Sequence, residues 1–213
     1  MSAPLMLADA ATRDDLKIFL QRLLRMGEPE VRLVSRGRAL AVFGCTQAPR
    51  GLLDALQVVL VMRAFGLAEE PGAAVDATVP GRALLDRLAR LGIAGRELEL
   101  PDAPAFAAWA GVLPPMSGWS AAGALDAASL RAVASEGIAR VAAALPEQPG
   151  DPVVHRVRSE VWGAPVADGV PAGAAFAAEA MGFLGDEPVR LATSRSWTRL
   201  TTARGSVLVR GRG

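Results

Sequence analysis

The chain has 213 residues, enough for one large domain or two small ones with an ample core. With 51% hydrophobic and 21% charged residues it sits near globular averages, which excludes wholesale disorder. Net charge is +1, from 23 basic and 22 acidic residues, so no global field exists to hold a polynucleotide or a membrane surface.

A first helix is predicted after Thr12, an N-cap with Asp15 three residues on and Asp14 adding negative charge to the first turn. Leu16, Phe19, Leu20, Leu23 and Leu24 recur at helical spacing, and Gly27 offers a stop. VRLVS (31–35) and ALAVFGC (39–45) flank Arg36-Gly37 and read as a hairpin whose glycine supplies the unusual backbone angles. LQVVLVMRAF, Leu56 to Phe65, is almost continuously apolar, which predicts a central strand buried on both faces. AAVDATV alternates, with Val75, Ala77 and Val79 sharing one face. Pro80 then stands at the start of a helix carrying Leu84, Leu85, Leu88 and Leu91, with Gly92 as its stop, and ELEL adds a short strand.

The next stretch, AWAGVLPPMSGW (108–119), is unlike the rest: it holds two of the four Trp, a Pro-Pro pair and no charge. Beyond it the pattern is helical. Asp126 caps a run with Leu130, Val133, Gly137, Val141 and Leu145 on one face, and LPEQPGDP breaks it. Asp151-Pro152 opens a helix bearing Val154, Val157 and Val161. Pro171 opens another with Phe176, Ala180 and Phe183 inward. VRLAT, SWTRLTT and SVLVR close the chain as a β meander. The whole predicts an α+β fold, a mainly antiparallel sheet covered by helices, either as one domain over 1–213 or as two halves, strand-rich 1–118 and helical 119–213 with the meander.

Motif chemistry is sparse. A single Cys45 and a single His155 cannot build the three- or four-ligand site zinc prefers, and no acidic cluster has calcium-loop spacing. The only lysine, Lys17, lies inside the first helix, so a Walker loop is excluded, and no G-x-G-x-x-G follows a strand. Gly118-Trp119-Ser120-Ala121-Ala122-Gly123 approaches a nucleophile elbow, but its second glycine comes one residue late and no strand is predicted before it. His155 lies in the first turn of a helix, with Ser159 four residues on as a local hydrogen-bond partner. Cys45 reads as a small thiol at a strand end. One cysteine excludes an intramolecular disulfide, and the N-terminus has neither a basic region nor a long apolar run, so a cytoplasmic, soluble protein is expected. No catalytic, cofactor or metal residue is assigned.

Two stretches remain as candidate surfaces. Pro114 and Pro115 hold the backbone extended beside Trp109 and Trp119, either as a partner-binding groove or as a buried seam with the indoles packed on the prolines. The buried seam is the stronger expectation, because an indole rarely lies bare on a monomer. After Glu187 no acid occurs, while Arg190, Arg195, Arg199, Arg204, Arg210 and Arg212 all follow. Trp197 and Arg199 share a strand face by the two-residue period, so Arg195, Trp197 and Arg199 form a candidate anion site.

The segments RLVSRGRALAVFGC, AWAGVLPPMSGW and SWTRLTTARGSVLVR together resemble parts of an uncharacterised family of proteins from high-GC actinobacteria. That resemblance implies a cytosolic protein of unknown function and brings no catalytic residues. The expected function is a non-enzymatic binding or scaffold module that contacts itself or another protein, with no cofactor and no membrane. The alternatives are an anion or nucleic-acid binder using the Arg-rich terminus, and an enzyme working through carboxylates and water.

Overall fold

The first helix starts at Asp9, three residues before the expected Thr12 cap. The structure, a computed structural model, describes residues 4–27, 30–51, 54 and 56–211; Arg212, in the arginine run above, lies outside them. Asp9 is extended, and its carboxylate accepts the Thr12 backbone N–H at 2.7 Å ahead of α1 (Ala10–Leu24). A charged oxygen at the positive end of the helix does there what the threonine hydroxyl was expected to do. The helix ends at Leu24, before Gly27. The chain divides into two units, Met1–Thr46 with Met62–Leu113, and Gln47–Val61 with Pro114–Gly213.

In the first unit, β1 (Leu5–Met6) precedes α1, followed by β2 (Glu30–Arg36), β3 (Ala39–Gln47), β4 (Val58–Gly66), β5 (Asp76–Pro80), α2 (Gly81–Arg90) and β6 (Glu97–Leu98). β4 is cut by the unit boundary at Val61/Met62. Strands run in the order β5-β2-β3-β4, and β1 pairs with β6 separately. β2 and β3 stay paired to Arg36↔Ala39, so the hairpin turn is Gly37-Arg38, one residue later than expected, with Gly37 at φ 54. On β4 Val59, Leu60, Val61 and Phe65 are buried, but Met62 and Arg63 are only half covered. Burial on both faces is thus limited to the first half of β4: Arg63 pairs with Asp15, at 2.5 Å, and its guanidinium carbon lies 5.7 Å from the centre of the Phe65 ring.

α1 buries Leu16, Phe19, Leu20 and Leu23, as its apolar spacing requires, and Phe19 meets Phe65 edge to face at 5.9 Å. Each such leucine contributes about 1.5–3 kcal/mol relative to exposure. Arg13, which spacing does not single out, is also buried. Its guanidinium donates to the carbonyls of Gly92, Ile93 and Gly95 at 2.8, 2.6 and 3.2 Å, just past the end of α2. Carbonyls past a helix end lack intrahelical donors, so this arginine ties α1 to α2.

The second unit contains β7 (Ser120–Leu125), α3 (Ala127–Ala144), α4 (Asp151–Trp162), β8 (Pro165–Ala167), β9 (Val170–Pro171), α5 (Ala172–Ala180), β10 (Val189–Ser194), β11 (Trp197–Thr202) and β12 (Gly205–Arg210). Its strand order is β4-β12-β11-β10-β7, with β7 antiparallel to β10 and β11 antiparallel to both β10 and β12. The meander was expected; β7 was not. SAAGAL has no β-branched residue, and it is a strand because β10 supplies the pairing, across a register slip at Leu191/Ala192. Ser120 therefore opens a strand instead of following one, which removes the nucleophile-elbow geometry. A helical cluster of Val161, Trp162 and Ala172 is joined by Val133, Val141, Val166 and Phe176, with Trp162 stacked on Phe176 at 4.6 Å. Among the described residues no helix is long and apolar enough to cross a membrane.

Candidate functional site

Pro114 and Pro115 are half-buried, and Gly118, at φ 76, turns the chain into β7. That turn folds Trp119 back: its Nε1 donates to the Pro115 carbonyl at 2.9 Å, and its ring covers Arg199, whose guanidinium carbon lies 4.3 Å from the ring centre. The two candidate surfaces of the sequence, the Trp-Pro stretch and the arginine strands, thus meet at one pair of side chains. Trp109 belongs to the first unit, half-buried in a 3-10 turn, Ala108–Gly111. Neither indole is bare. Apolar groups in the stretch and just ahead of it are: Phe106, two residues before it, is 98% exposed and Val112 45% in the first unit, and Met116 is 65% exposed in the second.

The register places the remaining candidates. Arg195 is exposed in the β10–β11 turn with φ 52, off the strand face. Trp197 does share the Arg199 face, but it is only 4% exposed and acts as core. Arg199 sits opposite Ala192 on β10 and Leu208 on β12, so Arg190 and Arg210, each two residues further along its strand, are its diagonal neighbours on the same face. Around Arg199 the structure thus places Trp119, Arg190 and Arg210, with Trp197 buried and Arg195 in the turn. Two-residue periodicity indicated the face, but the register that chooses the neighbours depends on turn positions, and Trp119 reaches over from the turn before β7. Arg199 Nε is fully covered and has no hydrogen-bond partner. Burial, and then the nearby charge of Arg190, hold the Arg199 guanidinium below its ordinary pKa.

His155 has an acid partner that sequence spacing did not reveal. Its Nε2 lies 2.8 Å from Asp54 Oδ2, and Ser159 Oγ lies 3.5 Å from the same nitrogen. A serine–histidine–aspartate relay needs its acid and its nucleophile on opposite ring nitrogens, so this is no such relay. Asp54 instead ties a loop: Oδ2 also accepts the Arg50 N–H at 2.9 Å and Oδ1 the Leu56 N–H at 3.0 Å. Burial pushes the Asp54 carboxyl up, but the N–H groups of Arg50 and Leu56 together with His155 outweigh it and leave it below the usual range. Cys45 is half-buried on β3, and among the described residues no three His, Cys, Asp or Glu side chains gather to hold a metal.

An enzyme built on carboxylates needs a pocket that collects them. A first-unit cavity of about 350 Å³ is lined by Asp86 and Asp102, but Arg87 and Arg90 line it too. A second, of about 250 Å³, holds Asp76, whose two oxygens are each 2.8 Å from the Arg32 guanidinium. Arg32 also donates to the Ala110 carbonyl, beside Trp109. Asp76, matched by a guanidinium in this way, is a structural partner of Arg32.

A family model described as Domain of unknown function (DUF8010) matches residues 1–111, and another, Domain of unknown function (DUF8185), matches 114–213. No curated protein matches the chain. Among solved structures, the DNA polymerase sliding clamp of Caulobacter crescentus is similar at TM-score 0.50 and 15% identity, over 93% of this chain and 63% of the clamp. A C. crescentus beta sliding clamp with PEG bound is similar at 0.50 and 16%, over 99% and 65%. The DNA polymerase III subunit beta of Pseudomonas aeruginosa gives 0.48 and 20%, over 93% and 63%. At these identities the likeness is one of fold, and the chain spans less than two thirds of the length of each of these proteins.

Proposed function

We propose, for a chain that belongs to the DUF8010 family, the role of a non-enzymatic binding scaffold that works through protein–protein contacts and self-associates through the Phe106 stretch. One observation carries the reading: Phe106 is 98% exposed, with Val112 at 45% and the half-buried Trp109 within the same seven residues. A phenyl ring left in water forfeits about 1.5–3 kcal/mol of burial, and exposed clusters of large apolar groups mark contact surfaces. Support also comes from what the reactive groups do. His155 and Asp54 tie a loop, and Asp76 pairs with Arg32. The fold likeness to proteins named DNA polymerase sliding clamps agrees with a scaffold, since those names describe a clamp and no reaction. A soluble, cytoplasmic location belongs to the same proposal.

Sedimentation equilibrium over a range of concentrations tests it. The unmodified chain is expected to associate, and Phe106→Asp to stay monomeric at every concentration with its circular dichroism unchanged. A mass that does not depend on concentration, or that Phe106→Asp leaves unaltered, overturns the reading.

A further inference from the structure

We infer that the sheet face carrying Arg190, Arg199 and Arg210 is a docking site for an extended acidic peptide segment of a partner protein, with Trp119 holding the central guanidinium in place. The site lies in the second unit and does not rest on the association proposed for Phe106.

Three adjacent strands each contribute one arginine. Arg190 and Arg199 are diagonal across β10 and β11, and Arg199 and Arg210 across β11 and β12, a spacing of about 7–8 Å at the backbone. Among the described residues none of the three makes an ion pair, whereas Arg13, Arg32, Arg63, Arg87 and Arg131 each have a carboxylate partner. No acidic residue stands on β7, β10, β11 or β12 to neutralise the row. Burial first, and then the charge of Arg190, hold the Arg199 guanidinium below its ordinary pKa, and a ligand that brings carboxylates offsets the like charges of the row. The central guanidinium is positioned before any ligand arrives: the indole covers one face and is itself pinned to the Pro115 carbonyl. A planar fork fixed in that way accepts a carboxylate in two parallel hydrogen bonds.

On the β10 side of the row Ala192, opposite Arg199, is half-buried and Ala121 beyond it on β7 is exposed, so short side chains of a peptide have room there, while Trp197 and Leu208 of the same face are buried beneath the charges. A nucleic-acid backbone fits less well. Polynucleotide surfaces need a broad basic footprint, and the chain carries 22 acids against 23 bases. The row offers three charges and a covered indole, which matches a short run of carboxylates.

The test is a titration of the intact chain, at a concentration below any self-association, with a blocked oligo-glutamate peptide and in parallel with oligothymidylate, followed by Trp fluorescence and calorimetry. Saturable binding of the peptide is expected. Arg190→Glu, an exposed position, should weaken it about tenfold or more, while Arg195→Glu, the same charge change in the turn, should leave it unaltered. Repeating the titration on Phe106→Asp separates the two proposals: peptide affinity should not change, and failure here leaves the association reading standing. No peptide binding, equal losses from Arg190→Glu and Arg195→Glu, or oligothymidylate binding with the same dependence on Arg190 would each overturn the inference.

Discussion

Asp54 holds its loop with a single carboxylate, accepting two backbone N–H groups and meeting His155. Its pKa is lowered in the folded chain, so its contribution is present above the usual carboxylate range, near pH 4, and is lost as pH falls through the folded value. Asp54→Asn should therefore flatten the decline of urea-unfolding stability between neutral and acid pH; a decline as steep as the parent's would refute that role. Arg195 holds φ 52, a region that costs a side-chain-bearing residue about 1 kcal/mol and glycine little. Arg195→Gly should raise the urea midpoint by about 0.5–1 kcal/mol of stability with an unchanged slope. A lower midpoint would show that the turn depends on the arginine. At this scale the sequence identified Trp119, Arg199 and His155 as residues of interest, because rare residue types and acid-free runs are visible in one dimension. It hid their partners. Trp119 on Arg199 and Asp54 on His155 join distant positions, and only tertiary packing brings them together.

Elements that package their own signal were legible, and those that depend on a neighbour were not. α1 and α2 follow from leucine spacing, and the Asp126 cap of α3 from residue type, with the Ser129 N–H donating to its carboxylate at 2.8 Å. β7 carries no such pattern, since its strand character comes from β10. Gly137 shows how a helix position is set from outside. Spacing placed it on the inward face of α3, and there the Trp162 ring occupies the space a methyl group would need. Gly137→Ala gains about 1 kcal/mol in helix propensity but forces the Trp162–Phe176 stack to shift, at about 1–3 kcal/mol. A net loss of thermal stability, with near-ultraviolet dichroism altered, is expected; a stabilised variant would mean that the ring moves freely.

For the molecule as a whole, the order of helix-period and strand-period segments was enough to predict an α+β chain, and the observed helices and antiparallel pairings agree. The function was less legible, because a surface is defined by what stays uncovered, and exposure is a property of the folded chain. Phe106 stood outside the conspicuous AWAGVLPPMSGW stretch and attracted no notice, yet it is 98% exposed. The central claim is that this protein acts by presenting surfaces to partners, first of all to its own copies. Amide hydrogen exchange over residues 104–112, compared at low and high protein concentration, puts that claim to the test. Slower exchange at high concentration, concentrated in that stretch and absent in Phe106→Asp, is the predicted result; identical exchange at both concentrations would contradict it.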